Sequence, residues 1–306
     1  MEFEAVYNVP DGGRLKVLGP NDAHDFKAWD ESGKELKTWC DGWGCSVDAF
    51  YLSGRANLKL EITLENGADF SELFAGCSEL LEVSGLDTSK GTDFSGMFEG
   101  CPNLASVPLL DTHNGTDFSG MFRGCPNLAG VPLLDTHNGT DFSGMFSGCA
   151  NLESVPLLDT HNGTDFSGMF EGCSNLAGVP LLDTSKGDYF RRMFSGCANL
   201  ESVPLLDTHN GEDFSAMFRG CKSLSSVPAL DTHNGEDFSE MFSGCESLSS
   251  VPALHTSHGR YFHAMFNGCA NLRDVPKLSV NRLKSSLEMF NGCPSVPDWA
   301  KAWGIT

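Results

Sequence analysis

Basic residues are scarce in this chain: 20 Lys and Arg stand against 41 Asp and Glu, for a formal net charge of -21. A surface so biased repels phosphate backbones and anionic lipid, so nucleic acid is not expected as a partner, and the acids read first as solubilising charge on a scaffold. Also missing is any run of the roughly 18 to 20 apolar residues that a membrane span requires, so no membrane insertion is expected. The opening MEFEAVYNVPDGG has neither the basic start nor the apolar core of a secretory leader. Either export by the general route is not expected or a leader has been removed. No phosphate loop, nucleophile elbow or zinc-protease helix occurs, which argues against catalysis and implies no cofactor.

Cysteine is plentiful, at 12. Ten of these fall at Cys77, Cys101, Cys125, Cys149, Cys173, Cys197, Cys221, Cys245, Cys269 and Cys293, an unbroken period of 24 residues. A residue recurring once per unit does the same job in each, and the job read here is a column of buried, reduced thiols. Stacked side chains pointing in parallel suit disulfide geometry badly, and free thiols fit assembly in a reducing compartment. Cys40 and Cys45, in WCDGWGC, match neither a zinc ribbon nor a redox motif; a paired couple in a cap and two separate buried residues both remain open.

The period extends to the whole unit. VPLLDTHNGTDFSGMF occurs three times unchanged, starting at Val107, Val131 and Val155. Positions that hardly vary, in the unit around Cys101, are Phe94, Met97, Phe98, Cys101, Leu104, Val107 and Leu110, all apolar. Phe94, Met97 and Phe98 share one face of a helical turn, which Asp93 can cap and Gly100 can end. NLASVPLL follows as a short β-leaning segment in which Pro108 stops pairing, and LDTHNG turns the chain. The expected fold is therefore an α/β repeat solenoid with one short strand and one short helical turn per 24-residue unit. Residues 1–66 are unrepeated and read as a small β-rich N-terminal cap, 67–297 as a solenoid of about ten units, and 298–306 as a C-terminal cap segment laying Trp299 and Trp303 over the open core.

Units such as DTSKGTDFSGMFEGCPNLASVPLLDT resemble the BspA-like leucine-rich repeat proteins, which carry D-T-S-x-x-x-x-[MF]-x-x-M-F-x-G-C-x-x-L; the resemblance covers residues 67 to about 297. It implies a leucine-rich-repeat-like right-handed coil and, where family members have a role, surface attachment or binding of a partner. Surface members usually carry an export signal and an anchoring tail. Neither is visible here, which turns the expectation towards a phage particle assembled in the cytoplasm, with a microbial cell surface as the other setting.

Translated copies present the same group at successive points, whereas catalysis needs different groups at one point. The expected function is thus a non-enzymatic binding and scaffold protein that attaches multivalently to protein or glycan. The main alternative is a purely structural spacer or assembly subunit contacting neighbouring subunits, and a divalent-cation-binding solenoid is a further one. That last reading rests on the stacked His113, His137 and His161 beside Asp111, Asp135 and Asp159. As turn formers and caps, these residues also recur for structural reasons alone, so no metal site is assigned. Candidate contact residues are the charged members of the two columns that vary between copies: Glu99, Arg123, Glu171 and Arg219 in one, Glu153, Glu201 and Arg273 in the other.

Overall fold

The computed structural model of the chain describes residues 1–9, 14–19, 23–41, 43–50, 52–64 and 68–305. The cap is built of β1 (Glu2–Val9), β2 (Arg14–Leu18), β3 (Ala23–Trp29), β4 (Thr38–Asp41), β5 (Gly44–Asp48) and β6 (Gly54–Leu64). One antiparallel sheet runs β3-β6-β1-β7, where β7 (Leu80–Ser84) belongs to the first coil; the other runs β2-β5-β4. Alternation in β1 and β6 turns Phe3, Ala5, Tyr7, Leu58, Leu60 and Ile62 inward. Tyr7 donates its hydroxyl to the Val17 carbonyl of the second sheet at 2.6 Å, and Phe3 meets Phe74 of the first coil edge-on at 5.8 Å. Cap and solenoid therefore share one core. The expected boundary at residues 66 and 67 lies outside the described residues. Cys40 and Cys45 face each other across β4 and β5 and are joined by a disulfide.

The inner coils bury their Phe, Met, Phe, Cys and Leu, as at Phe142, Met145, Phe146, Cys149 and Leu152. Two phenylalanine columns run along the axis, with consecutive rings stacked at 5.2–6.0 Å between centroids. From Cys101 to Cys293, each thiol of the column donates to a phenylalanine carbonyl of the preceding coil, for example Cys149 Sγ to Phe122 at 3.1 Å. Burial pushes these thiols up, Cys125 and Cys197 to about 12. A threonine column supplies a second ladder: Thr160 is buried and donates Oγ1 to the Asp183 carbonyl at 2.9 Å.

Coil-to-coil pairing sits elsewhere than expected. NLASVPLL carries no strand in the inner coils; only in the first coil does the same stretch become a strand, β7, because β1 lies beside it as partner. Pairing falls instead in the DFSGMFEG segment, where Phe94, Gly96, Phe98 and Gly100 donate backbone N–H to Asp117, Ser119, Met121 and Arg123 of the next coil at 2.7–2.9 Å. The residues between them close i to i+3 turns, Met97 to Phe94 and Glu99 to Gly96. A continuous helix would spend those N–H groups internally, so the segment becomes two linked turns with every second donor turned outward along the axis. Gly96 and Gly100 supply the positive φ, 58° and 67°, that this alternation needs.

At the far end, helix α1 (Asp298–Lys301) closes the last coil. Trp299 packs edge-on against Phe290 at 6.0 Å and donates Nε1 to the Val275 carbonyl. Trp303 does not join it as the i,i+4 spacing suggested; it remains half-exposed while Ala300 and Ile305 are buried.

Candidate functional site: a leucine-lined groove along the rod

Adjacent residues of an extended segment point to opposite sides. In each VPLLDT stretch the second leucine enters the core, so the first must leave it. Leu110, Leu134, Leu158, Leu182 and Leu206 are at most 3 % exposed, whereas Leu109, Leu133, Leu157, Leu181 and Leu205 are 64–77 % exposed. The five outer leucines form one line, which Ala229 and Ala253 continue. Together they line a groove of about 1260 Å³ running over seven consecutive coils. Threonines such as Thr136, Thr160 and Thr184 contribute to its lining, and Asp135, Asp159, Asp183, Asp207 and Asp231 stand along it. Single exposed leucines need no explanation, but a contiguous apolar line does.

The aspartates are held by local bonds. Asp111 Oδ1 receives the Nδ1 of His113 at 2.5 Å, and the same pair recurs through His233 with Asp231 at 2.8 Å. An ionised carboxylate only accepts, so Nδ1 carries the hydrogen and Nε2 is left as an acceptor, which meets Asn114 Nδ2 at 2.8 Å and, in His161, Asn162 Nδ2 at 2.9 Å. The hydrogen bond from the imidazole holds Asp111, Asp135, Asp159 and Asp231 below the usual carboxylate range; Asp183 is lowered in the same way by Ser185. Each imidazole thus braces its own turn through the carboxylate beside it. In the coils of His113 and His161 both ring nitrogens are engaged within the coil. Among the described residues, no group of three or more His, Cys, Asp or Glu is placed to hold a metal ion.

The variable charged residues lie apart from this groove. Glu99, Arg123 and Glu171 line a smaller, polar groove of about 540 Å³ floored by Gly96, Gly120 and Gly144. Glu99 pairs with Arg123 at 3.7 Å, Glu171 with Arg192 at 3.8 Å and Arg219 with Glu240 at 2.8 Å. Glu153, Glu201 and Arg273 are exposed, each donating its backbone N–H to the preceding coil at 3.0–3.2 Å. The candidate residues are therefore split between two positions, and neither includes the leucine line. That line was detectable in the L-L doublet, since only one of two neighbours can face a core.

Coils stacked on shared columns of Phe, Cys, Leu and Thr define the molecule as a repeat solenoid of the leucine-rich type, whose outer face is a repeated surface. The chain belongs to the family described as "Mycoplasma protein of unknown function, DUF285", whose model matches residues 68–179, 126–226 and 188–303, the length of the solenoid. The BspA-like resemblance of the repeat is thereby borne out. No curated protein matches the chain. Among solved structures it is similar to a leucine-rich repeat protein of T. pallidum, at 19 % identity over 69 % of this chain and 74 % of that one, TM-score 0.33. It is also similar to a leucine-rich repeat protein of Eubacterium ventriosum, at 16 % identity over 74 % and 80 %, TM-score 0.35. A third is an internalin C2 of Listeria monocytogenes, at 16 % identity over 67 % and 87 %, TM-score 0.28. No helix among the described residues is long and apolar enough to cross a membrane.

Proposed function

We propose that this protein is a non-enzymatic binding scaffold, displayed on a microbial surface or a phage particle, that attaches to a protein partner through the leucine-lined groove. The observation that supports the reading is the line Leu109, Leu133, Leu157, Leu181 and Leu205, apolar side chains kept in solvent in coil after coil. Solubility alone disfavours such a line, so its retention calls for a surface that covers it. One weak contact repeated along a rigid rod gains avidity without a new kind of site. The polar groove at Glu99, Arg123 and Glu171 and the exposed Glu153, Glu201, Arg219 and Arg273 serve as secondary contacts that differ from coil to coil. A glycan partner suits the polar groove better than the leucine line.

Two measurements test the two halves of this reading. Immunogold electron microscopy of the producing culture and its particles is expected to label the exterior; label confined to the cytoplasm overturns the display half. Binding of the purified chain to labelled surfaces is expected to fall when Leu157→Ser and Leu181→Ser are combined. Undiminished binding by that variant overturns the groove half.

A further inference from the structure

We propose that the occupant of the leucine groove is a basic amphipathic α-helix of the partner protein, lying along the rod with one apolar residue per turn against the leucine line. The inference rests on the groove being the contact surface and adds the class of partner.

Spacing decides between extended and helical occupants. Equivalent core side chains in consecutive coils repeat at 5.2–6.0 Å. An α-helix advances about 5.4 Å per turn, so side chains at i, i+3 or i+4, and i+7 keep step with the coils. An extended strand along the same axis repeats its like-facing side chains about every 6.6–6.8 Å, and slips out of step within a few coils. A strand added across the coils also finds a donor missing at this place. The residue preceding each outer leucine is a proline, Pro108, Pro132, Pro156, Pro180 and Pro204, which has no N–H to offer. Seven coils at the helical pitch span about 30 Å, the length of a helix of about 20 residues.

Charge decides the polar face of that helix. Asp135, Asp159, Asp183, Asp207 and Asp231 line the groove, and the whole chain carries -21. Lysine or arginine flanking the apolar stripe meets this row, whereas an acidic helix faces like charge. The same argument disfavours a second copy of this chain, which brings an identical row of aspartates to the interface. The groove also changes along its length: Ala229 and Ala253 replace leucine at one end, leaving room there for a larger side chain of the helix.

The test uses the full chain and a labelled synthetic peptide of about 20 residues, with leucine at helical spacing and lysine beside it. Two control peptides accompany it: an isomer with the same composition but scattered leucines, and a version with glutamate for lysine. Fluorescence anisotropy at physiological salt is expected to show binding of the striped basic peptide, with a gain in helical circular dichroism. Affinity is expected to fall about ten-fold or more for the isomer, and by a similar factor when Leu157→Ser and Leu181→Ser are combined. An unchanged melting temperature of that variant certifies its fold. Equal binding of the two basic isomers, or binding indifferent to the leucine substitutions, overturns the proposal. Leucine-dependent binding of the glutamate peptide alone, or leucine-dependent self-association of the chain, overturns the basic helix while keeping the groove as a contact surface. Leucine-independent behaviour of every probe overturns both.

Discussion

At the scale of single residues, the core is a set of columns, and each column is sensitive to the shape and charge of one atom group repeated in every coil. The thiols make this measurable. Burial raises Cys125 and Cys197 from about 9 to about 12, so the folded state holds protons that the unfolded chain releases. Their contribution is complete below pH 9 and is lost as pH rises from 9 towards 12, by up to about 1.4 kcal/mol per pH unit for each such thiol. Urea midpoints measured across that window are expected to drop steeply, and less steeply when Cys125→Ala and Cys197→Ala are combined. A flat profile contradicts the buried column. Backbone conformation offers a test of opposite sign. The position of Gly96 needs positive φ, yet Ala216 occupies it at 54° in its own coil. Ala216→Gly is expected to stabilise the chain by about 1 kcal/mol, read as a raised unfolding midpoint, because glycine takes the left-handed region without the Cβ clash.

At the scale of the element, the unit was legible in what it buries and less so in how it pairs. Phe94, Met97, Phe98, Cys101, Leu104, Val107 and Leu110 were all assigned to the core from their recurrence; all are buried except Val107, which is half-buried against the core. The same i, i+3, i+4 spacing also suggested a helical turn, but spacing reports which side chains share a face and is silent on where alternate N–H groups go. Stacking claimed those donors for the next coil, and the β-leaning NLASVPLL, joined coil to coil only by isolated bonds such as Glu153 N–H to the Ala129 carbonyl, becomes a strand only where β1 pairs with it. In the L-L doublet the periodicity marked the inner leucine and left the outer one unread. Two substitutions separate the members of that pair. Leu158→Ala is expected to cost about 2–5 kcal/mol through loss of a buried side chain, and Leu157→Ser less than about 0.5 kcal/mol. Comparable losses of thermal stability for the two contradict the assignment of faces.

At the scale of the whole molecule, repetition couples construction to function: a coil added to lengthen the core lengthens the outer groove by the same step. Charge balance, the solenoid and the family were readable from composition and period, because these are sums over many residues. The groove is a local feature that composition and period pass over; it lay in the L-L doublet, where marking the inner leucine leaves the outer one to solvent. Since VPLLDTHNGTDFSGMF recurs unchanged from Val107, Val131 and Val155, removal of residues 131–154 rejoins matching coils and leaves every ladder in phase. Nearest-neighbour stacking means that such a variant folds. The most direct test of the groove is therefore the affinity of the basic, leucine-striped helix for the full chain, for this shortened chain and for one lengthened by the same unit. Affinity is expected to weaken several-fold, about three-fold or more, in the shortened chain and to be kept or improved in the lengthened one. Equal affinity for the full and shortened chains, with both folded, contradicts a contact surface made of repeated leucines.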